Sequence, residues 1–434
     1  MNHPQRTKVH ATMFTRSLLA AACLAMSAYG GEAAVAAVTI KVTGPNAVSY
    51  WNEVATTTIN VAATPGTGSA AEQRPVSSVD QATVQLAVYD ALMAIGGAYK
   101  PYAITPRADA NGASPEAAVS AAAYGVLKGL FPNRSASYQS AFDNYVASIA
   151  AGDAKTKGLA LGAEVAQRML ALRGDDGRSV VLAAYVPGSA PGQFRGANPI
   201  NRFQPGMKPL SVTSFAQFRA PAPVALTSAA YTADYDETRT LGGTASSLRT
   251  PAQLDIARFH TEPPPAFWPR NLRNFAMTGG TLSDHARVLA MLTTAQADAE
   301  LTCFESKYFY QAWRPFSAIQ LGDTDGNAMT TADPTWTAVL PTPPHPEYPA
   351  AHACVTGAVT EVLKAYYRTD QITFNVDSKV TGTSQTFTTT QAMVDNVGVA
   401  RIYGGMHFRS SLQAGHTLGA SVAQWVVTHH FQPR

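Results

Sequence analysis

Apolar residues recur at helical spacing through most of this chain. From about Asp80 to Arg173 three Ala-rich runs, QATVQLAVYDALMAIGG, SPEAAVSAAAYGVLKGLF and a third ending in EVAQRMLAL, repeat every three or four positions and predict three or four packed helices. Ser114, Pro115 and Glu116 open the second run with a side-chain cap, a proline suited to the first helical position and an acid for the first turn. Between Gly174 and about Ser228 the period is lost, and the stretch YVPGSAPGQFRGANPINRFQPGMKPL predicts a long surface connection between two helical lobes. The boundary falls near residue 230, with an N-terminal lobe and its connection over 37–230 and a C-terminal lobe over 231–434. In the second lobe a helical pattern runs from about Leu282 to Trp313 and stops at Pro315, another starts at Pro349 and continues through VTGAVTEVLKAYY, and a last one follows Ser410. QITFNVDSKVTGTSQTFTTT alternates and is rich in Thr and Val, which predicts a short hairpin. The fold class is therefore mainly α, two packed helix bundles with at most a short hairpin.

Composition narrows the function classes. The 434 residues are 46% hydrophobic, and 32 Lys+Arg against 29 Asp+Glu leave a formal charge of only +3. No long run of one sign occurs, so a nucleic-acid or anionic-membrane surface is not expected and any cationic site must be local. The N-terminus has Arg6, Lys8 and Arg16, then the uncharged SLLAAACLAMSAYGG, then Ala34, Val35 and Ala36, the three-part layout of a secretory signal over 1–36. Its apolar run falls short of the roughly 18 to 20 residues of a membrane anchor. The expectation is a secreted or periplasmic protein with no membrane segment in its mature form. Cleavage removes Cys23, and the remaining Cys303 and Cys354 exclude a disulfide scaffold or a cysteine-rich metal site.

Three clusters carry candidate chemistry. In KYFYQAWRP, Lys307 and Arg314 lie seven residues apart, nearly two helical turns, which puts both cations on one face of an apolar, aromatic helix. Unless an anion meets them their burial is costly, and the alternative is a pair of snorkelling surface cations. In PPHPEYPAAHACVTGAV, Pro349 suits a first helical position, the N–H groups of Ala350 and Ala351 make an anion seat, and His352 stands beside it as a proton donor or acceptor. In ARIYGGMHFRSSLQAG, Arg401 and His407 are six apart and would diverge by about 240° on an unbroken helix. Gly404 and Gly405 allow a break that lets them converge, and Ser410 with Gln413 reads as a capping box. Together the clusters supply three fixed cations, two helix N-termini and two histidines, an inventory that suits an oxyanion of charge near minus two or minus three.

These residues resemble one family. The spacing of Lys307, Arg314 and Pro315, that of Arg401 and His407, and the stretches DAELTCFESKYFYQAWRPFSAI, YDALMAIGGAYKPYA and FAQFRAPAPVALTS are similar to the vanadium-dependent haloperoxidases and the acid phosphatases of the type 2 phosphatidic acid phosphatase superfamily. The resemblance implies an oxyanion site in the C-terminal bundle, with vanadate as cofactor. His407 would bond to vanadium, or attack phosphorus in a phosphatase. His352 would be the acid-base residue, and Lys307, Arg314, Arg401 and the Ala351 N–H would hold the oxyanion. It further implies hydrogen peroxide, a halide and a small organic acceptor as partners. His345 falls where the haloperoxidases carry a residue that borders the halide site.

Two positions depart from the family pattern. Ala350 and Ala351 stand where Ser and Gly usually precede the acid-base histidine, so a hydroxyl donor is missing. Ser411 stands where an Asp usually follows the third motif, and Glu237 or Asp236 is the candidate to replace that carboxylate. The leading expectation is a vanadate-dependent haloperoxidase, with a secreted acid phosphatase acting through a phosphohistidine and a non-catalytic oxyanion-binding protein as alternatives. No HExxH-like pair supports zinc hydrolysis. If the motifs converge, Cys303 and Cys354 fall in the walls of one pocket, either as a disulfide or as two buried thiols. His416, His429 and His430, on or after the last helix, read as structural or solvent-exposed.

Overall fold

The computed structural model describes Met1, residues 36–59 and residues 68–434. The expected export signal falls almost wholly outside these. Residues 37–434 form one compact unit, and its helices are α1 (Ala47–Ile59), α2 (Ala70–Gln73), α3 (Ser77–Gly96), α4 (Pro115–Leu130), α5 (Ser135–Ala147), α6 (Asp153–Arg173), α7 (Ala229–Gly242), α8 (Pro251–Phe259), α9 (Pro264–Leu272), α10 (Leu282–Tyr310), α11 (Pro315–Gln320), α12 (Ala351–Tyr367), α13 (Thr390–Tyr403) and α14 (Arg409–His429). The mainly α reading therefore holds. The expected hairpin is β2 (Ile372–Ser378) with β3 (Thr383–Phe387), antiparallel with Phe374 opposite Phe387. A third strand, β1 (Val38–Thr39), pairs in parallel with β2. Among the described residues no helix is long and apolar enough to cross a membrane.

Local chemistry sets the N-terminal bundle. The Ser114 hydroxyl accepts the Ala117 N–H at 3.3 Å and Pro115 begins α4, as its sequence predicts. Small residues then let α4 and α6 touch: a Cβ at Gly162 would collide with the Ala118 carbonyl. The central element is α10, whose 29 residues begin with a Thr281–Asp284 capping box. It packs on α3 as well as on α12 and α14, so the boundary placed near residue 230 coincides with no break in packing.

The stretch from Gly174 to Ser228 runs over the surface at residues 179–193, as expected, but its later part packs against the core. Asp298 of α10 is buried and accepts the N–H groups of Leu210, Ser211 and Val212 at 2.8, 2.7 and 3.0 Å. A buried carboxylate thus supplies the partners that an aperiodic backbone needs in order to leave the surface. On the far side, α12 and α14 approach so closely that a Cβ at Gly419 would strike the Cys354 carbonyl.

Candidate active site

The first motif converges by a different route from the one its spacing suggests. The helix α10 ends at Tyr310, where Gln311 takes a left-handed φ of 49° and returns its N–H to the Lys307 carbonyl. Ala312 then bridges to Gln193 and the Trp313 N–H bonds the Gly192 carbonyl at 2.9 Å. Backbone pairing with the connection pulls these residues out of the helix. Arg314 is consequently the extended N-cap of α11 and not a second cation on the face of α10.

What joins the cations is the Pro-rich segment before α12. Lys307 Nζ donates to the carbonyls of Pro346 and Glu347 at 2.9 Å each. Arg314 donates from Nε to the His345 carbonyl (2.8 Å), from Nη1 to the Met406 carbonyl (2.9 Å) and His407 Nε2 (3.1 Å), and from Nη2 to His345 Nδ1 (3.0 Å). Arg401 donates from Nη1 to the His260 carbonyl at 3.0 Å, while its buried Nε has no partner. All three side chains are buried.

The third motif breaks where its glycines allow. After α13 ends, Gly405 takes a φ of 75°, and a Cβ there would meet the Gly242 carbonyl at 2.5 Å and Ala338 at 2.9 Å. His407 emerges beside Arg314. Its Nδ1 lies 2.8 Å from Glu347 Oε1, which also accepts the Phe408 N–H at 3.1 Å. Arginine can only donate, so His407 Nε2 is an acceptor, and Nδ1 carries the proton given to Glu347. The lone pair of His407 is thereby fixed on Nε2, where it accepts from Arg314.

Glu347 supplies the carboxylate that Ser411 does not, and it replaces both acids proposed from sequence. Glu237 pairs instead with Arg409, its Oε2 lying 2.8 Å from Nε, and Asp236 lies near Arg239 at 3.4 Å. The signal for Glu347 was a lone acid among prolines in PPHPEYPAA, where no helical pattern marked it. The expected Ser410–Gln413 capping box is absent too. Phe408 is the N-cap of α14 without a side-chain cap, and the Asp234 carboxylate accepts the Ser410 N–H at 3.2 Å. An acid from α7 already fills the place a local cap would take.

The helix of the second motif begins at Ala351, two residues later than predicted. Ala350 is the N-cap of α12 and its N–H is used by the Ser411 carbonyl at 3.1 Å, so it cannot serve an anion. Ala351 and His352, at the first two helical positions, have no acceptor within the helix. His352 is half-buried and its Nε2 lies 3.2 Å from the Glu262 carbonyl. A carbonyl only accepts, so Nε2 bears a proton and Nδ1 is the basic nitrogen. The residue Glu262 is itself held by Arg270, with Nη1 to Oε1 at 2.6 Å and Nη2 to Oε2 at 2.9 Å.

Cys303 and Cys354 form a disulfide with a Cα separation of 6.3 Å, tying α10 four residues before Lys307 to α12 two residues after His352. His345, His352, Arg401 and His407 border a cavity of about 290 Å³ whose other walls include Phe304, Val355, Met406 and several prolines.

Burial dominates the electrostatics. It drives Lys307 well below the usual lysine range, Arg314 down to about 10 and Arg401 down to about 9, with Arg314 adding repulsion to Lys307 and Arg401. Burial and then the neighbouring arginines hold His345, His352 and His407 well below 6.5, so all three are neutral. Glu347 is pushed up to about 7 by burial, against the pull of Lys307 and Arg314. Lys307 and Arg314 act on this carboxylate, and with Arg401 they outnumber it around His407 in a buried site.

Residues 287–433 match the VCPO second helical-bundle domain. A vanadium chloroperoxidase of Curvularia inaequalis is 28% identical over 124 residues, 24% of this chain and only 20% of that relative. Over most of its length the chain superposes on a bacterial vanadium-dependent iodoperoxidase, with a TM-score of 0.71, 22% identity, and coverage of 91% of this chain and 100% of the other. The holo form of a bacterial vanadium-dependent chloroperoxidase gives a TM-score of 0.67 at 15% identity, covering 89% of this chain and 97% of the other. The C-terminal helices that carry all three motifs thus match that haloperoxidase domain, and the fold that surrounds them is the one seen in solved bacterial vanadium-dependent haloperoxidases.

Proposed function

We propose that this protein is a vanadate-dependent haloperoxidase that oxidises halide with hydrogen peroxide. The observation that carries the reading is the buried positive charge around His407, where Lys307, Arg314 and Arg401 outnumber the Glu347 carboxylate that His407 contacts and Arg401 Nε has no partner. A dianionic oxyanion would satisfy both the charge and the orphaned donor. The donor set fits: Lys307, Arg314, Arg401 and the Ala351 N–H would hold oxygens, and His407 Nε2 presents a lone pair fixed toward Arg314. When bound, vanadate supplies a Lewis-acid centre that activates peroxide toward halide.

The chain's own residues prepare the reaction. Glu347 fixes the tautomer of His407, and Arg314 aligns its ring. His352, steadied by the Glu262 carbonyl, offers Nδ1 as a base for a peroxide proton. His345, Phe304 and Met406 make the cavity wall where a halide and a small organic acceptor would enter. The disulfide suits a secreted or periplasmic location. Likeness to an iodoperoxidase and a chloroperoxidase supports peroxidase over phosphatase chemistry, for which the same cations and histidines would also serve. Loading the protein with vanadate and assaying iodide, bromide and chloride oxidation, beside phosphate-ester hydrolysis by the vanadate-free form, tests it. Halide-independent ester hydrolysis without peroxidase turnover would reverse the choice.

A further inference from the structure

Glu300, on α10, faces the same cavity. Together with Phe304 and Lys307 it forms one stripe at spacings of four and three residues, and it lines the cavity that His345, His352 and His407 border. The side chain is 4% exposed. One carboxyl oxygen is 3.3 Å from the Gln204 amide nitrogen, and the other has no hydrogen-bond partner.

Behind it lies a buried polar seam. On α3, which packs against α10, Ser78, Gln81 and Gln85 follow one another at helical spacing, and Gln296 stands one turn before Glu300 on α10. Both polar atoms of Gln81, Gln85 and Gln296 are buried without hydrogen-bond partners. The Ser78 hydroxyl lies near enough to Glu300 to favour its ionised form. Orphaned amides in such number are not stable dry, and ordered water is the usual partner of buried polar groups of this kind.

We propose that Glu300 is a proton relay between this hydrated seam and the cavity. The inference rests on the peroxidase reading, because that reaction consumes a proton. Halide, hydrogen peroxide and one proton give hypohalous acid and water. The O–O bond breaks, a halogen–oxygen bond forms, the halide supplies the electron pair, and the departing hydroxide must take up a proton. Glu300 yields its proton into the cavity for that hydroxide and is reprotonated through the seam.

The surroundings suit this role. Burial raises the Glu300 carboxyl to about 7, opposed by Ser78 and Gln204, so both of its forms are populated near neutrality. Among neighbouring ionisable groups, Asp80 of α3 is paired with Arg178 at 2.7 Å and Asp298 of α10 is committed to the 210–212 backbone. Across the cavity stand His345 and His352, both held neutral, and Arg401.

The test combines two readouts on wild type, Glu300→Gln and Glu300→Asp. Infrared difference titration of the vanadate-free proteins should show a buried carboxyl that ionises near neutral pH in wild type and is missing from Glu300→Gln. In the vanadate-loaded enzymes, Glu300→Gln should lower kcat roughly a hundredfold, with KM for halide and peroxide and the affinity for vanadate unchanged, and Glu300→Asp should restore part of the rate. The corresponding ionisation should vanish from the pH profile of Glu300→Gln. An active wild type matched by Glu300→Gln at every pH refutes the relay alone. A folded, vanadate-loaded wild type with no peroxidase turnover refutes the peroxidase reading, and the relay with it.

Discussion

Replacing Arg314 by lysine keeps the charge and removes the fork. The guanidinium makes four contacts, to the His345 carbonyl, His345 Nδ1, the Met406 carbonyl and His407 Nε2, all between 2.8 and 3.1 Å. One ammonium on a shorter reach can keep at most two of these. Hydrogen bonds to charged groups contribute about 1.5–3 kcal/mol each, so losing two costs roughly 3–6 kcal/mol of stability. The site is too buried for solvent to soften that figure: Arg314 is only 3% exposed. If the variant also loses one charged bond to a bound oxyanion, vanadate affinity should fall about ten- to a hundredfold. Urea denaturation measures the first effect. Equilibrium dialysis of vanadate against folded variant, at a urea-free concentration where both proteins are native, measures the second. Wild-type stability together with wild-type affinity would mean that Arg314 does not organise this site.

Other outcomes follow from the same geometry. Vanadate at a hundred times its Kd should raise the stability of the vanadate-free protein by about 2.7 kcal/mol, and phosphate should compete for the effect; no shift in melting temperature with either anion would remove the shared oxyanion site. Replacing Cys303 and Cys354 by alanine opens a cross-link spanning 51 residues, which should cost about 4 kcal/mol by urea denaturation, and two free thiols in the unreduced, denatured wild type would contradict the bridge. Burial, followed by the repulsion of Arg401, lowers His260 to about 4, while its bond to Asn396 opposes the shift. Its stabilising share is therefore complete above about 6.5 and lost as the pH falls through about 4, roughly 3 kcal/mol in all. His260→Asn should lose less stability than wild type between pH 7 and pH 4, and equal losses would show that another group governs the acid limb.

Much of this molecule was legible as sequence because its signals are short-range. Helical periodicity, the Ser114 cap before Pro115, the alternation of the hairpin and the glycine break before His407 each depend on residues within a turn or two of one another. The spacing of Lys307 and Arg314, and of Arg401 and His407, marked the cations and the histidine that the structure brings together. Only tertiary packing decided how they meet. Backbone pairing with residues 192–193 ends α10 early and sends Arg314 onto a separate element, and a carboxylate from α7 displaces the local cap of α14. The carboxylate that accepts from His407 is 60 positions away in the chain, on a Pro-rich segment with no periodicity to reveal it. Partners of buried polar groups are chosen by desolvation and by what the folded core brings within reach, and neither is encoded in the spacing of neighbouring residues.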